Sequence, residues 1–346
     1  MQLELFDTLQ TLCSLSGPSG RLGEVAQVAS ALLAPLVDEV SVDRLGSVVG
    51  VRRCGKPGAK KLLLDAHLDE VGFIITGHED GFLRFSTVGI DPRILPGREV
   101  RLLTEPEGFG VIAAKPPHVL AAGEQDKTQD VNDLRIDVGM TQEESQLRYP
   151  IGTAAVYREG CARLLGERVA GKALDDRSCF CVLLRTMELL KDDELDVDVY
   201  VLGSDREETG GEGAETAAWR VAPDYAVALD VTFATQPDVS DDKGFDLGGG
   251  PSIGVGPNMA RWMTELMKQT AREQNIPVHL EVMSGNTGTN AWDIQIAREG
   301  VATQLLSLPL RYMHTPVEVI DLNDVEQSAQ LLAAFVRKLG KEAAVC

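Results

Sequence analysis

Basic and aromatic residues are scarce in this chain, and each scarcity excludes a class of partner or substrate. Lysine and arginine number 33 against 53 aspartates and glutamates, a formal charge of −20. A surface of that sign repels phosphate backbones and anionic headgroups, so no nucleic-acid partner and no membrane partner is expected. Aromatics make up 5% of the chain, which argues against a sugar cleft lined by rings and flanked by paired carboxylates. No apolar run is long enough to span a bilayer. Met1 to Leu15 places Glu4 and Asp7 among leucines without a basic start, the pattern of an amphipathic helix and not of a signal peptide. The six cysteines are scattered. Only Cys179 and Cys181 are close, and a one-residue gap is not zinc-finger spacing. Free thiols in a reducing cytosol are the simplest reading, so a cytoplasmic location is expected.

What is present is an ordinary globular composition, 44% hydrophobic and 25% charged over 346 residues, enough for two domains or one domain with a large insertion. Lys61–Ala66 (KLLLDA) reads as a short strand buried on both faces, the kind found in mostly parallel sheets. From about Val71 to Val169 the texture shifts to short strands and turns, including a hairpin signal at Gly77–Gly81. Within it, Pro116–Asp133 is polar and aperiodic and reads as a long loop. From Asp175 onward helix and strand alternate, with helices expected over Arg177–Leu190, Ala214–Val221, Met259–Gln274, Ala291–Arg298 and Asn323–Leu339. The pattern predicts an α/β protein: a three-layer α/β/α domain around a mostly parallel sheet, built from residues 1–69 and 166–346. A β-rich, barrel-like insertion over residues 70–165 interrupts it.

Side chains able to ligate metal recur at strand ends and helix starts of the α/β part. His67 follows the Lys61–Asp65 strand, where ligand-binding residues of open sheets sit, and Asp69 is placed to accept a hydrogen bond from its imidazole. Asp175, in Gly171-Lys172-Ala173-Leu174-Asp175-Asp176-Arg177, reads as an ordinary helix N-cap or as a carboxylate bridging two cations. Glu207 and Glu208 follow the Val199–Ser204 strand and precede Gly210-Gly211. Of such a pair, one can bind metal while the other acts as a general base. Asp230 ends the Tyr225–Leu229 strand, and His314 lies in Arg311-Tyr312-Met313-His314-Thr315-Pro316. Of the five histidines, only His67 and His314 share this placement. Nitrogen and oxygen donors together suit zinc, cobalt or manganese.

In the order A-H-L-D-E-V-G, G-K-A-L-D-D-R, E-E-T-G-G-E-G-A, A-L-D-V-T and R-Y-M-H-T-P-V-E, these segments resemble the glutamyl and deblocking aminopeptidases. These are tetrahedral, dinuclear-metal peptidases whose members are also labelled endoglucanase-like. The resemblance runs from Leu12 to Leu332. It implies two divalent ions per subunit, peptide substrates opened at the amino end, and self-association from a dimer to a dodecamer through the inserted domain. Residue by residue, it implies His67 on one metal with Asp69 orienting it and Asp175 bridging. It implies Glu207 as general base, Glu208 and Asp230 as carboxylate ligands, and His314 on the other metal. The chain departs from the pattern at Arg206, where glutamine is expected, at Ser178-Cys179-Phe180, and at Asn290, where many relatives carry aspartate. Two rival readings stand beside it. One is a metal-dependent hydrolase of another small bond, an acyl-amino acid or a glycoside. The other is a non-catalytic assembly protein retaining the fold.

Overall fold

A computed structural model describes residues 4–119, 123, 129–237, 239–240 and 243–342. Most of the long loop expected over Pro116–Asp133 lies outside that set; its described ends form short 3₁₀ turns at Pro117–Val119 and Val131–Asp133.

The larger body is an eight-stranded sheet ordered Glu39–Val42, Val48–Arg52, Val197–Ser204, Lys60–His67, Tyr225–Phe233, Ala302–Leu310, Ser252–Val255, His279–Val282. The four middle strands from Val197–Ser204 to Ala302–Leu310 run parallel, while the flanking pairings to Val48–Arg52 and Ser252–Val255 are antiparallel. Lys60–His67 shows why its centre, Leu62–Leu64, is uninterrupted leucine. Leu62 and Leu64 pack into one core and Leu63 into the other, because alternate side chains leave opposite faces of a strand covered on both sides. One face carries the helices Leu5–Ser14, Glu24–Leu33, Leu174–Leu190, Arg261–Gln274 and Leu322–Glu342. The other carries Glu212–Val221 and Ala291–Ile294. This is the three-layer arrangement the alternation predicts.

Six strands close a barrel in the order Gly72–Glu79, Phe82–Val88, Arg135–Asp137, Gly108–Ala113, Glu99–Leu102, Ala154–Tyr157. It has its own core, in which Phe73 meets Phe85 and Tyr157 edge to face. A small third sheet pairs Arg168–Gly171 with Glu318–Asp321, Gly171 standing opposite Glu318. That register matters for the site, because it brings the segment leading to Asp175 alongside the one following His314.

Among the elements that differ from the sequence expectation are one helix and one strand of the large sheet. The helix expected over Ala291–Arg298 stops at Ile294, and four residues on, Arg298 takes a left-handed conformation with φ 55. The strand Ser252–Val255 is hidden in sequence by Gly248-Gly249-Gly250-Pro251 before it and by its own Gly254. Beneath the sheet, Glu70 accepts from Lys172 Nζ at 2.7 Å and Arg177 at 3.0 Å, all three side chains at most 2% exposed. The carboxylate neutralises two buried cations and ties the start of the barrel segment to the start of the long helix. No described helix is long and apolar enough to cross a membrane, and the five cysteines of the described residues are free.

Candidate active site

His67 is the last residue of its strand and is 1% exposed. Its Nδ1 lies 3.0 Å from the backbone carbonyl of Asp69 and 3.5 Å from that residue's carboxylate. The closer partner is therefore the main chain, which as acceptor sets the proton on Nδ1 and leaves Nε2 facing the site. The Asp69 carboxylate has other donors: Ser19 Oγ at 2.6 Å, and the backbone N–H groups of Glu207 at 3.2 Å and Glu208 at 3.4 Å. It thus holds the glutamate pair as much as the imidazole.

Asp175 does not cap a helix. Its two oxygens point not at helix N–H groups but at two different imidazoles. Oδ1 lies 3.1 Å from His67 Nε2, and Oδ2 lies 3.4 Å from His314 Nε2. Glu208 Oε2 is 3.3 Å from the same nitrogen of His314. Glu207 Oε2 stands 3.9 Å from His67 Nε2, with 14% of its side chain exposed against 5% for Glu208. Asp230 lies in the strand Tyr225–Phe233 and, with His67 and Asp176, forms a group whose donor atoms are all within 4.8 Å of one another. His67, Asp175 and Glu208 form a second such group.

The seven residues singled out from sequence converge on one site. Three that were not singled out share it. Asp176 accepts from the backbone N–H of His67 at 3.3 Å, while its Oδ1 is buried with no partner. Its signal was the doubled aspartate itself. Glu318, 1% exposed, accepts from the backbone N–H groups of Leu174 at 2.8 Å, Asp175 at 3.2 Å and His314 at 2.9 Å. It fixes both ligand-bearing segments with one side chain. The third is a carbonyl: His314 Nδ1 donates to the backbone oxygen of Gly89 at 2.7 Å, which lies just past a barrel strand. The barrel segment therefore sets the tautomer of a site histidine, although none of its described side chains belongs to the two donor groups.

Five carboxylates meet here (Asp175, Asp176, Glu207, Glu208 and Asp230), and among the described residues their ion pairs are with the two imidazoles only. Burial, with repulsion from Asp175 and its neighbours, pushes Glu207 up to about 7 and Glu208 up to about 8. Burial likewise raises Asp176 and Asp230 well above the carboxylate range, each repelled by the other acids. Burial alone would lower His314, yet its bond to Asp175 and the charge of Glu208 hold it up at about 10. His67 is raised in the same sense by Asp175 and Asp69 against the cost of burial. A cluster that must otherwise borrow protons to limit its negative charge is suited to cations, which displace those protons on binding. The mix of imidazole and carboxylate donors, together with the unpartnered Asp176 oxygen, fits a transition-metal ion better than calcium or magnesium.

Replacing Glu318 by glutamine should leave the chain folded. It should also turn an NH₂ group toward backbone donors and loosen both segments. We expect metal affinity to fall on the order of 10- to 100-fold, the usual cost of losing an orienting partner. Chelator competition measures this, and a change under twofold would remove Glu318 from that role.

The site opens into a cleft of about 660 Å³ whose walls include Asp175, Glu207, Glu208, Asp230, Glu281, Trp292 and His314. Against known proteins, residues 46–331 match the family model described as M42 glutamyl aminopeptidase. The chain is 35% identical to a lysyl aminopeptidase of Pyrococcus furiosus, over 89% of each chain. A solved aminopeptidase from Desulfurococcus kamchatkensis superposes with a TM-score of 0.89 at 37% identity, covering 96% of this chain and 94% of that one. The Pyrococcus horikoshii TET1 peptidase, described as assembling into a tetrahedron or a large octahedral shell, superposes with a TM-score of 0.84 at 30% identity, covering 97% of this chain and all of that one (100%).

Proposed function

This chain belongs to the M42 glutamyl aminopeptidase family and is a hydrolase of the aminopeptidase class; on that premise we propose that it removes N-terminal residues from peptides with two divalent metal ions. The observation that supports the two-ion reading is Asp175, one oxygen toward His67 and the other toward His314. We assign His67, Asp175 and Asp230 to one ion, and Asp175, Glu208 and His314 to the other, with zinc or cobalt favoured by the donors and manganese compatible. Such ions, when bound, polarise a scissile carbonyl and make water more acidic. Glu207 is the group of the pair that stands off from both imidazoles and stays partly open to the cleft. It takes the proton of the attacking water and returns it to the departing amine as the peptide bond breaks. Asp69, which grips the backbone N–H groups of Glu207 and Glu208 and lies beside His67, is a positioning residue.

The same reading makes residues 1–69 and 166–346 the catalytic domain, 70–165 the inserted one, and the cytosol its compartment. Ile74, Phe82, Phe109, Leu147 and Ile151 leave apolar surface exposed on the barrel segment, which supports subunit contact through it, in a dimer that builds to a dodecamer. Light scattering at micromolar concentration should show an oligomer; an active monomer would remove that role.

The deciding experiment incubates metal-stripped and zinc-, cobalt- or manganese-reconstituted protein with one peptide, its amino end free or acetylated. Mass spectrometry should show stepwise loss of N-terminal residues from the free form only, and only with metal. Internal cleavage, or equal attack on the acetylated peptide, would overturn the exopeptidase reading.

A further inference from the structure

The family name points to glutamate and the Pyrococcus furiosus relative's name to lysine, so membership leaves the favoured residue open; the cleft does not. Among its described lining residues there is no lysine or arginine, while Glu281 and Asp293 add two carboxylates that belong to neither inferred ion. Asp293 is raised by burial and by the charges of Glu215 and Glu212 beside it, so the mouth is acidic as well.

Glu281 is the informative group. It reaches from the strand His279–Val282 to Thr232, whose hydroxyl donates to Oε1. Its other oxygen, Oε2, is closed to solvent, and the Ser307 hydroxyl is the donor beside it.

The position suits a substrate side chain. Thr232 is two residues beyond Asp230 on the same face of one strand, a step of about 7 Å. That matches the reach of a long side chain attached to a residue cleaved at the carboxylate cluster. Phe233, Met283 and Trp292 on the same walls offer apolar surface for methylenes, as lysine and arginine stems require.

We propose that Glu281 makes this aminopeptidase selective for peptides beginning with lysine or arginine, its carboxylate on the cleft wall attracting the side-chain cation. The proposal rests on the aminopeptidase reading above. A glutamate or aspartate at the amino end meets like charge in the cleft and is the poorest substrate. A neutral side chain of equal length gains no charge attraction there.

The test is a fluorogenic aminoacyl panel of Lys, Arg, norleucine, Leu and Glu with the metal-reconstituted protein. Lys and Arg should exceed norleucine in kcat/KM at least about tenfold, with Glu last. In Glu281→Gln the Lys-to-norleucine ratio should fall on the order of 10- to 100-fold, mainly through KM. Calorimetry with L-lysinamide against L-norleucinamide reads the same preference without turnover. Cleavage of no free-amine substrate would overturn the aminopeptidase reading. Cleavage with Leu or Glu equal to or better than Lys would overturn the selectivity alone, as would a Lys-to-norleucine ratio unmoved in Glu281→Gln. Should that variant fail to fold, the panel on the unmodified protein still decides.

Discussion

Glu207→Gln should lose roughly two to four orders of magnitude in kcat while its metal content and melting temperature stay near those of the parent, the scale expected when a general base is removed. The amide keeps the size of the side chain and an oxygen acceptor but cannot take a proton. Two adjacent glutamates could each be given this duty, and geometry separates them. Glu208 is 3.3 Å from His314 and nearly closed to solvent, the placement of a ligand. Glu207 is 3.9 Å from the nearest imidazole nitrogen and more exposed. Its backbone is not free to drift, because its N–H is held by Asp69 at 3.2 Å and the preceding Arg206 is fixed in a left-handed turn with φ 68. Since the base must be unprotonated to act, activity should rise with pH as Glu207 ionises, and that limb of the profile should vanish in the variant. Turnover within threefold of the parent, at matched metal content, would take Glu207 out of the mechanism. Glu208→Gln provides the contrast: there metal should be lost along with activity.

The features legible in sequence are those written locally. Lys61–Ala66 declares a strand buried on both faces because the consecutive leucines Leu62–Leu64 leave neither face polar, and His67 directly after it inherits a site position from that strand's polarity. The change from helix–strand alternation to dense short strands after Val71 marks the barrel, since a closed antiparallel sheet needs many turns in few residues. Features set by register or by contact between distant segments are not legible in this way. Asp175 by its position alone reads as an N-cap sooner than as a bridging carboxylate, because the choice depends on where His67 and His314 lie in space. Glu318 looks like one polar residue in an edge strand until Gly171 is paired opposite it. The Gly89 carbonyl carries no side-chain signal at all, although it orients His314. Asn290 departs from the aspartate expected there. It donates to Asp65 at 2.8 Å and to Ser204 at 2.9 Å, so an aspartate in its place would set a second carboxylate against a buried one. Burial already pushes Asp65 up to about 6.

Asp175→Ala should be the most damaging single change: after dialysis the protein should retain neither ion, and hydrolysis should fall by more than about four orders of magnitude, beyond the loss of the base alone. The reason is that one carboxylate serves two positions. Its oxygens lie 3.1 and 3.4 Å from the nitrogens of His67 and His314, so removing it takes a donor from both ion positions at once. With two cations bound as proposed, it would also remove negative charge that offsets their mutual repulsion. His67→Ala or His314→Ala should each weaken one position more than the other, leaving partial occupancy. Asp175→Asn should fall between these cases, since the amide keeps one oxygen acceptor while losing the charge. The metal-free state responds too. Asp175 is held ionised by the two imidazoles, which overcome the cost of burying it, and those imidazoles keep their protons largely because of it. In the alanine variant His67, fully buried, should therefore titrate at lower pH than in the metal-free parent, a shift that nuclear magnetic resonance of the imidazole can follow without any ion present. Elemental analysis gives the primary answer. Two equivalents of metal in Asp175→Ala would show that each ion is held without a shared carboxylate, and the bridging assignment would have to be abandoned.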